Sequence, residues 1–363
     1  MKKQIQHLPF YKNFQIDVLR LDLMHPLYGG NKFFKLKYNI VNVEQCHPEP
    51  FGSAQNKLSR RAKTNNHEHL CLVTAEDAKK GAENAESEFD KTCHTELSRS
   101  ATPNKNDKPT ILTFGGAHSN HIYSTAAYCN EQNIKSIGVI RGEEIMIANS
   151  PTLQFAQSKG MHLHFISRDK YKNKTDYDFV QEFKKLFGDF YLIPEGGNND
   201  EGIKGCAEIL IDVDFYDYVF CACGTACTYT GILFSAKPNQ TIIGISALKG
   251  ENELIDKVNE SDQKHKFNKI SPYKNGAINS STILSNYHFG GYAKHTSELL
   301  DFKRKFEQQN NIPLDYIYTS KLFYAVYDLI DQNLLEQNKS ILIIHSGGQQ
   351  GNAGYEARYK INP

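Results

Sequence analysis

Three short stretches place chemically useful side chains where a strand hands over to a helix. In Tyr28-Gly29-Gly30-Asn31-Lys32-Phe33-Phe34-Lys35-Leu36 a lysine follows two glycines. Glycine lets the backbone approach a ligand closely. A lysine held at such a turn, desolvated and near other cations, can lose its proton near neutral pH and act as nucleophile or base. In Phe114-Gly115-Gly116-Ala117-His118-Ser119-Asn120-His121 the amides of a helix N-terminus, with Ser119 and Asn120, suit an anion such as a carboxylate. In Cys223-Gly224-Thr225-Ala226-Cys227-Thr228 amides and hydroxyls at another helix start suit a phosphate dianion. Each stretch alone has an ordinary explanation: a surface lysine, a Ser-Asn helix cap, a turn. His118 and His121 lie three apart, but no third ligand is in view and no metal site is assigned. The absence of a Gly-x-Gly-x-x-Gly run argues against a dinucleotide.

The elements that must carry these residues follow from hydrophobic pattern. Residues 14–23 alternate as a strand, and Asn31 can cap a helix through Phe33, Leu36, Ile40 and Val43. Strands are expected at 110–114, 136–140, 161–166, 190–193, 216–221, 241–245 and 340–345. Helices are expected at 119–130, 151–158, 177–187, 200–211, 228–236, 296–309 and 321–335. Strand alternating with helix means parallel sheets covered on both faces. The stretch from about Cys46 to Lys108 breaks the pattern. It is polar, poor in large aliphatics and faintly self-similar, with Cys46-His47-Pro48-Glu49 echoed by Cys93-His94-Thr95-Glu96. Two Cys-His pairs could supply four zinc ligands. The spacing is not that of a zinc loop, and a disordered insertion fits the composition better.

The three stretches together, Gly-Gly-Asn-Lys-x-x-Lys-Leu, Gly-Gly-x-x-Ser-Asn-His and a Thr-rich turn, resemble the pyridoxal-phosphate family of 1-aminocyclopropane-1-carboxylate deaminase and D-cysteine desulfhydrase. The resemblance runs from about residue 20 to the C-terminus, apart from the insertion. It implies the tryptophan-synthase-β-like fold (fold type II), two open twisted parallel-sheet α/β domains with the cofactor between them. Residues 1–36 with 170–363 would form the larger domain and 37–169 the smaller, including the insertion at about 46–108. It implies that Lys32 bonds to the cofactor and takes the substrate α-proton, and that Lys35 lies near the phosphate. Ser119 and His121 would meet the substrate, and Asn120 both substrate and the cofactor's phenolic oxygen. Thr225, Ala226, Cys227 and Thr228 would cradle the phosphate, although this loop has less glycine and serine than is usual in the family. Asn286-Tyr287-His288-Phe289-Gly290-Gly291-Tyr292 and Asp315-Tyr316-Ile317-Tyr318-Thr319-Ser320-Lys321 match segments that supply two active-site tyrosines, Tyr292 and Tyr318. The second run lacks the family's proline and glycine. Thr319 stands where ring-opening deaminases carry a glutamate against the pyridine nitrogen, and Ser346 where desulfhydrases use a hydroxyl. A carboxylate would keep that nitrogen protonated and strengthen the electron sink. The neutral pair favours α,β-elimination from a D-cysteine-like amino acid, giving pyruvate, sulfide and ammonia, over deamination of 1-aminocyclopropane-1-carboxylate. A serine-type dehydratase or racemase, and a cofactor-binding protein of little turnover because of the insertion, are the other readings.

Composition sets the outer bounds. The formal net charge of +1 over 363 residues gives no electrostatic case for nucleic acid or an anionic membrane. No run is long enough to span a bilayer, and the N-terminus lacks a signal-peptide pattern. The eight cysteines form no disulfide framework and suit a reducing compartment. A cytoplasmic enzyme for a small amino acid, with the homodimer that the family implies, is the expectation.

Overall fold

The computed structural model describes residues 3–46, 109–249, 252–265, 278 and 280–361. The insertion expected at about 46–108, with its Cys-His pairs, therefore lies almost wholly outside the described residues. Residues 1–43 and 109–363 form one compact unit.

That unit holds two sheets. The larger takes β1 (Ile5–His7), β2 (Gln15–Arg20), β7 (Tyr218–Cys223), β8 (Thr241–Ser246), β9 (Thr282–Leu284) and β10 (Ser340–His345) in the spatial order β1-β2-β10-β7-β8-β9. All neighbours run parallel except β1 against β2. The smaller takes β3 (Thr110–Gly115), β4 (Lys135–Arg141), β5 (His162–Ile166) and β6 (Tyr191–Ile193) in the order β5-β4-β3-β6, all parallel. The helices are α1 (Asn31–Cys46), α2 (Asn120–Glu131), α3 (Pro151–Ser158), α4 (Tyr177–Phe187), α5 (Asp200–Cys206), α6 (Cys227–Ser235), α7 (Asn252–His265), α8 (Ser297–Asn310), α9 (Thr319–Asp331) and α10 (Asn352–Tyr359).

Central strands read as continuous apolar runs because both faces are covered. In β10, Ile341 and Ile343 pack with Leu322, Val326 and Leu329 of α9, while Leu342 and Ile344 join the opposite core with Phe34 of α1 and Ile232 of α6. All four are fully buried. Burying a side chain of this size stabilises by roughly 1.5–3 kcal/mol, so the centre of the sheet is the most firmly set part of the frame.

Two details depart from expectation. The first strand stops at Arg20, and Leu21–Leu23 is a 3-10 turn that starts the descent to the lysine loop. The segment 170–193, placed with the larger domain by the expected boundary at 169, packs on the smaller sheet. Tyr171 and Phe183 lie edge-on to Phe114 of β3, and Tyr191–Ile193 pairs with β3. Aromatic packing on β3 holds it there.

Candidate active site

The loops that follow the C-terminal ends of β2, β3, β4, β7, β8 and β10 converge on a cleft of about 1020 Å³. This is where parallel sheets present their ligand sites. Because β2 and β10 are neighbours, the lysine loop and the loop after His345 meet backbone to backbone. The Asn31 amide donates to the Ser346 carbonyl at 3.2 Å, and a Cβ on Gly30 would lie 2.0 Å from that same oxygen. Gly30 also has φ +85. The paired glycines thus serve a close approach to the protein's own chain, where a close approach to a ligand was expected.

Lys32 lies at the start of α1 with Nζ donating to Asn31 Oδ1 at 3.1 Å, and Asn31 Nδ2 donates to Thr228 Oγ1 at 2.9 Å. Burial, then the charge of Lys35, pulls its amine down to about 7. Lys35 is buried, not a solvated helix lysine: its ammonium donates to the Gly196 carbonyl at 3.1 Å and to Thr225 Oγ1 at 3.4 Å. Ala226 precedes α6 with φ 63, a left-handed conformation that costs a non-glycine residue about 1–2 kcal/mol. It aims the Gly224–Thr228 turn and the positive end of α6 into the cleft.

Ser119 caps α2, its Oγ accepting from the Ile122 amide at 3.3 Å, and it also lines the cleft. Capping and facing a ligand are therefore compatible here. His121 is buried, and its Nε2 lies 2.8 Å from Thr113 Oγ1. Since Thr113 donates its hydroxyl to the Ile193 carbonyl at 2.7 Å, it must accept from Nε2–H. That leaves Nδ1 a bare acceptor, and it has no partner. Burial, then Lys32 and Lys35, holds this imidazole neutral, well below its usual range. His118 Nδ1 and Asn120 Oδ1 are likewise buried without partners. Orphaned polar atoms are rare in a closed interior; three on one strand-to-helix turn mark a place where a polar ligand would complete the bonding.

On the facing wall, the rings of Tyr292 and Tyr318 meet edge to face with centroids 6.3 Å apart. Burial, then Tyr292 and Asp315, keeps the Tyr318 phenol protonated. A Cβ on Gly224 would lie 3.0 Å from the Tyr318 ring, so the phosphate turn and the tyrosine are in direct contact.

Eleven of the residues singled out from the sequence line this one cleft: Lys32, Lys35, Ser119, Asn120, His121, Thr225, Ala226, Thr228, Tyr292, Tyr318 and Ser346. Two are turned away. Thr319, expected against the cofactor nitrogen, is fully buried, with its hydroxyl donating to Asp315 Oδ2 and accepting from the Asp315 amide, both at 2.7 Å. Asp315 closes the first turn of α9, and Thr319 belongs to that cap. Cys227 faces the interior, its thiol donating to the Gly197 carbonyl at 3.3 Å, so only its backbone can serve the turn. The sequence reading passed over Arg141, at the end of β4, and the Glu195-Gly196 turn after β6. The Gly-Gly pair at 196–197, one more strand-to-helix turn, was the available signal.

The site has the parts that pyridoxal phosphate needs: a lysine whose amine is brought down to about 7, a buried lysine beside a helix N-terminus, and unsatisfied polar atoms at His118, Asn120 and His121. Among the described residues no cluster of metal-ligating side chains occurs.

Comparison with known proteins gives four findings. The profile of the family described as pyridoxal-phosphate dependent enzyme matches residues 92–347. A bifunctional D-cysteine desulfhydrase/1-aminocyclopropane-1-carboxylate deaminase of Arabidopsis thaliana is 26% identical over 268 residues, covering 67% of this chain and 64% of that protein. A D-cysteine desulfhydrase of Serratia proteamaculans is 23% identical over 262 residues, covering 66% of this chain and 76% of its own. The solved structure of a 1-aminocyclopropane-1-carboxylate deaminase homologue superposes with a TM-score of 0.68 at 22% identity, covering 99% of this chain and 93% of that one. The fold is therefore the two-sheet fold of type II pyridoxal-phosphate enzymes.

Proposed function

The chain belongs to the pyridoxal-phosphate-dependent enzyme family, and from that premise we propose that it is a lyase removing the α-proton and the β-substituent of a small amino acid, with D-cysteine as substrate and pyruvate, sulfide and ammonia as products. The observation that carries the choice is that the cleft offers the Ser346 hydroxyl and, among the described residues, no unengaged carboxylate. Thr319 has no carboxylate to offer and is spent on the cap. The carboxylates that do line the cleft are engaged elsewhere, Glu144 by Arg168 at 2.6 Å and Glu195 by the Tyr171 hydroxyl at 2.9 Å. A pyridine nitrogen without a carboxylate partner would be a milder sink, which suffices for a thiolate leaving group and disfavours opening of a carbon ring.

Bound pyridoxal phosphate supplies the electron sink at the substrate α-carbon. Lys35, Thr225, Thr228 and the amides of the Gly224–Thr228 turn would hold its phosphate, and Lys32 its reactive end. Lys32 Nζ, brought down to about 7 by burial and so partly deprotonated at neutral pH, would take the α-proton in its neutral form. The amides at the start of α2 bind the substrate carboxylate, and His121 Nδ1 accepts a hydrogen bond on that side. Tyr318, a protonated phenol in contact with Tyr292, donates at the opposite wall. A homodimer and a cytoplasmic location belong to the same proposal. Among the described residues no helix is long and apolar enough to cross a membrane.

The test is turnover of two substrates by the cofactor-loaded protein. Sulfide release from D-cysteine is expected, with 1-aminocyclopropane-1-carboxylate converted at least about 100-fold less efficiently, a difference of about 2.7 kcal/mol in transition-state binding. Comparable conversion of the two would overturn the assignment. Turnover of neither would favour a cofactor-binding protein of little activity.

A further inference from the structure

Lys321 is a lysine with no access to water, 0 % exposed, in the first turn of α9. A cation there opposes the helix dipole, and burial pulls its amine down to about 8 against the charge of Asp315. A buried ion is a poor way to stabilise a fold, so its contacts matter. The ammonium donates to three backbone carbonyls, those of His288 and Gly291 at 2.8 Å each and that of Ala247 at 3.5 Å. The first two already accept amides of their own turn, from Gly291 at 3.0 Å and Lys294 at 3.2 Å. Lys321 therefore grips a turn that is closed before it arrives.

That turn is under strain. Phe289, Gly290, Gly291 and Ala293 have φ of 50, 94, 116 and 53. For the two non-glycine residues such a conformation is unfavourable and persists only where the surroundings enforce it. The residue in the middle of this run is Tyr292, which projects into the cleft against Tyr318. Tyr318 immediately precedes α9, three residues before Lys321.

We propose that Lys321 is a positioning residue for the elimination. By binding the carbonyls of the 288–291 turn and of Ala247 from the start of α9, it fixes Tyr292 against Tyr318 and keeps the strained turn from relaxing. The assignment rests on the reading above, in which the two tyrosines face the substrate. It adds the group that places them.

Two measurements on the full chain test it. Lys321→Met keeps the apolar stem and removes the donors. Hydrogen–deuterium exchange on the protein with and without pyridoxal phosphate should show the amides of 289–294 exchanging at least tenfold faster in this variant, with those of β10 unchanged. In turnover, Lys321→Met should lower kcat on the order of 100-fold with KM little changed, the scale expected of a misplaced group. In a Tyr292→Phe background the same change should cost less than twofold. A purely structural lysine would not show that non-additivity. Unchanged exchange at 289–294, or losses that multiply in the double variant, would overturn the proposal. Should Lys321→Met fail to fold, Gly290→Ala loosens the same turn with Lys321 intact and must reproduce the kcat loss. If the wild type turns over no substrate, the proposed function fails, and the exchange result alone decides whether the clamp exists.

Discussion

The chemistry proposed here begins with Lys32, whose amine is brought down to about 7 by burial and by Lys35. This makes a prediction about stability as well as reactivity. The usual lysine value is 10.5. Below pH 7 the amine is charged in both folded and unfolded chains, and the folded protein carries the full cost of burying it. Between 7 and 10.5 the folded protein releases the proton first, so stability without cofactor rises with pH in that window. Denaturation midpoints at pH 6 and pH 9 should therefore differ more in the wild type than in Lys32→Met. Equal differences would show that the lysine is not desolvated. Most of the site was legible at this scale because the residue types and their placement after strands name a chemistry. Thr319 and Cys227 were not. Adjacent residues at a helix start point about 100° apart, and which one enters the cleft is set by the Asp315 cap and the packing beneath α6, neither of which shows in a spacing.

At the scale of elements, the site is a set of turns held by a parallel frame, and glycine is required where two turns touch. Gly30 and Gly160 have nearly the same φ, +85 and +81, but a Cβ on Gly30 would lie 2.0 Å from the Ser346 carbonyl, whereas nothing lies within 4 Å of one on Gly160. Gly160→Ala should therefore cost only the left-handed conformation, about 1–2 kcal/mol. Gly30→Ala must also push two backbone segments apart, and it should cost more than about 3 kcal/mol and weaken cofactor binding with it. Urea melts of the two variants check this; similar losses would mean that the contact at Ser346 is soft. The long strands and helices were readable from periodicity. The three-residue strands Ile5–His7 and Thr282–Leu284 were not: so short a run has no period, and neither stands in the expected strand-helix alternation that marked Tyr191–Ile193. Helices Asn252–His265 and Asn352–Tyr359 were also passed over; both are predominantly polar, and the apolar side chains of the first are only Leu254, Ile255 and Val258. The boundary at 169 missed because nothing in the sequence says that Tyr171 and Phe183 pack on Phe114 of β3.

For the whole molecule, the two sheets bring a lysine, a phosphate-binding turn and a ring of unsatisfied polar atoms to one cleft, and family membership gives these a common ligand. What the family leaves open is the reaction, and the lack of an unengaged carboxylate among the described lining residues supports the proposed β-elimination. The most direct test of the central claim is the visible absorption spectrum of the protein incubated with pyridoxal phosphate, recorded before and after D-cysteine, with Lys32→Ala alongside. The account predicts a cofactor band in the wild type that D-cysteine shifts as sulfide appears, and no such band in the variant. A wild-type chain with no band in excess pyridoxal phosphate, or a variant that keeps both band and sulfide release, would contradict it.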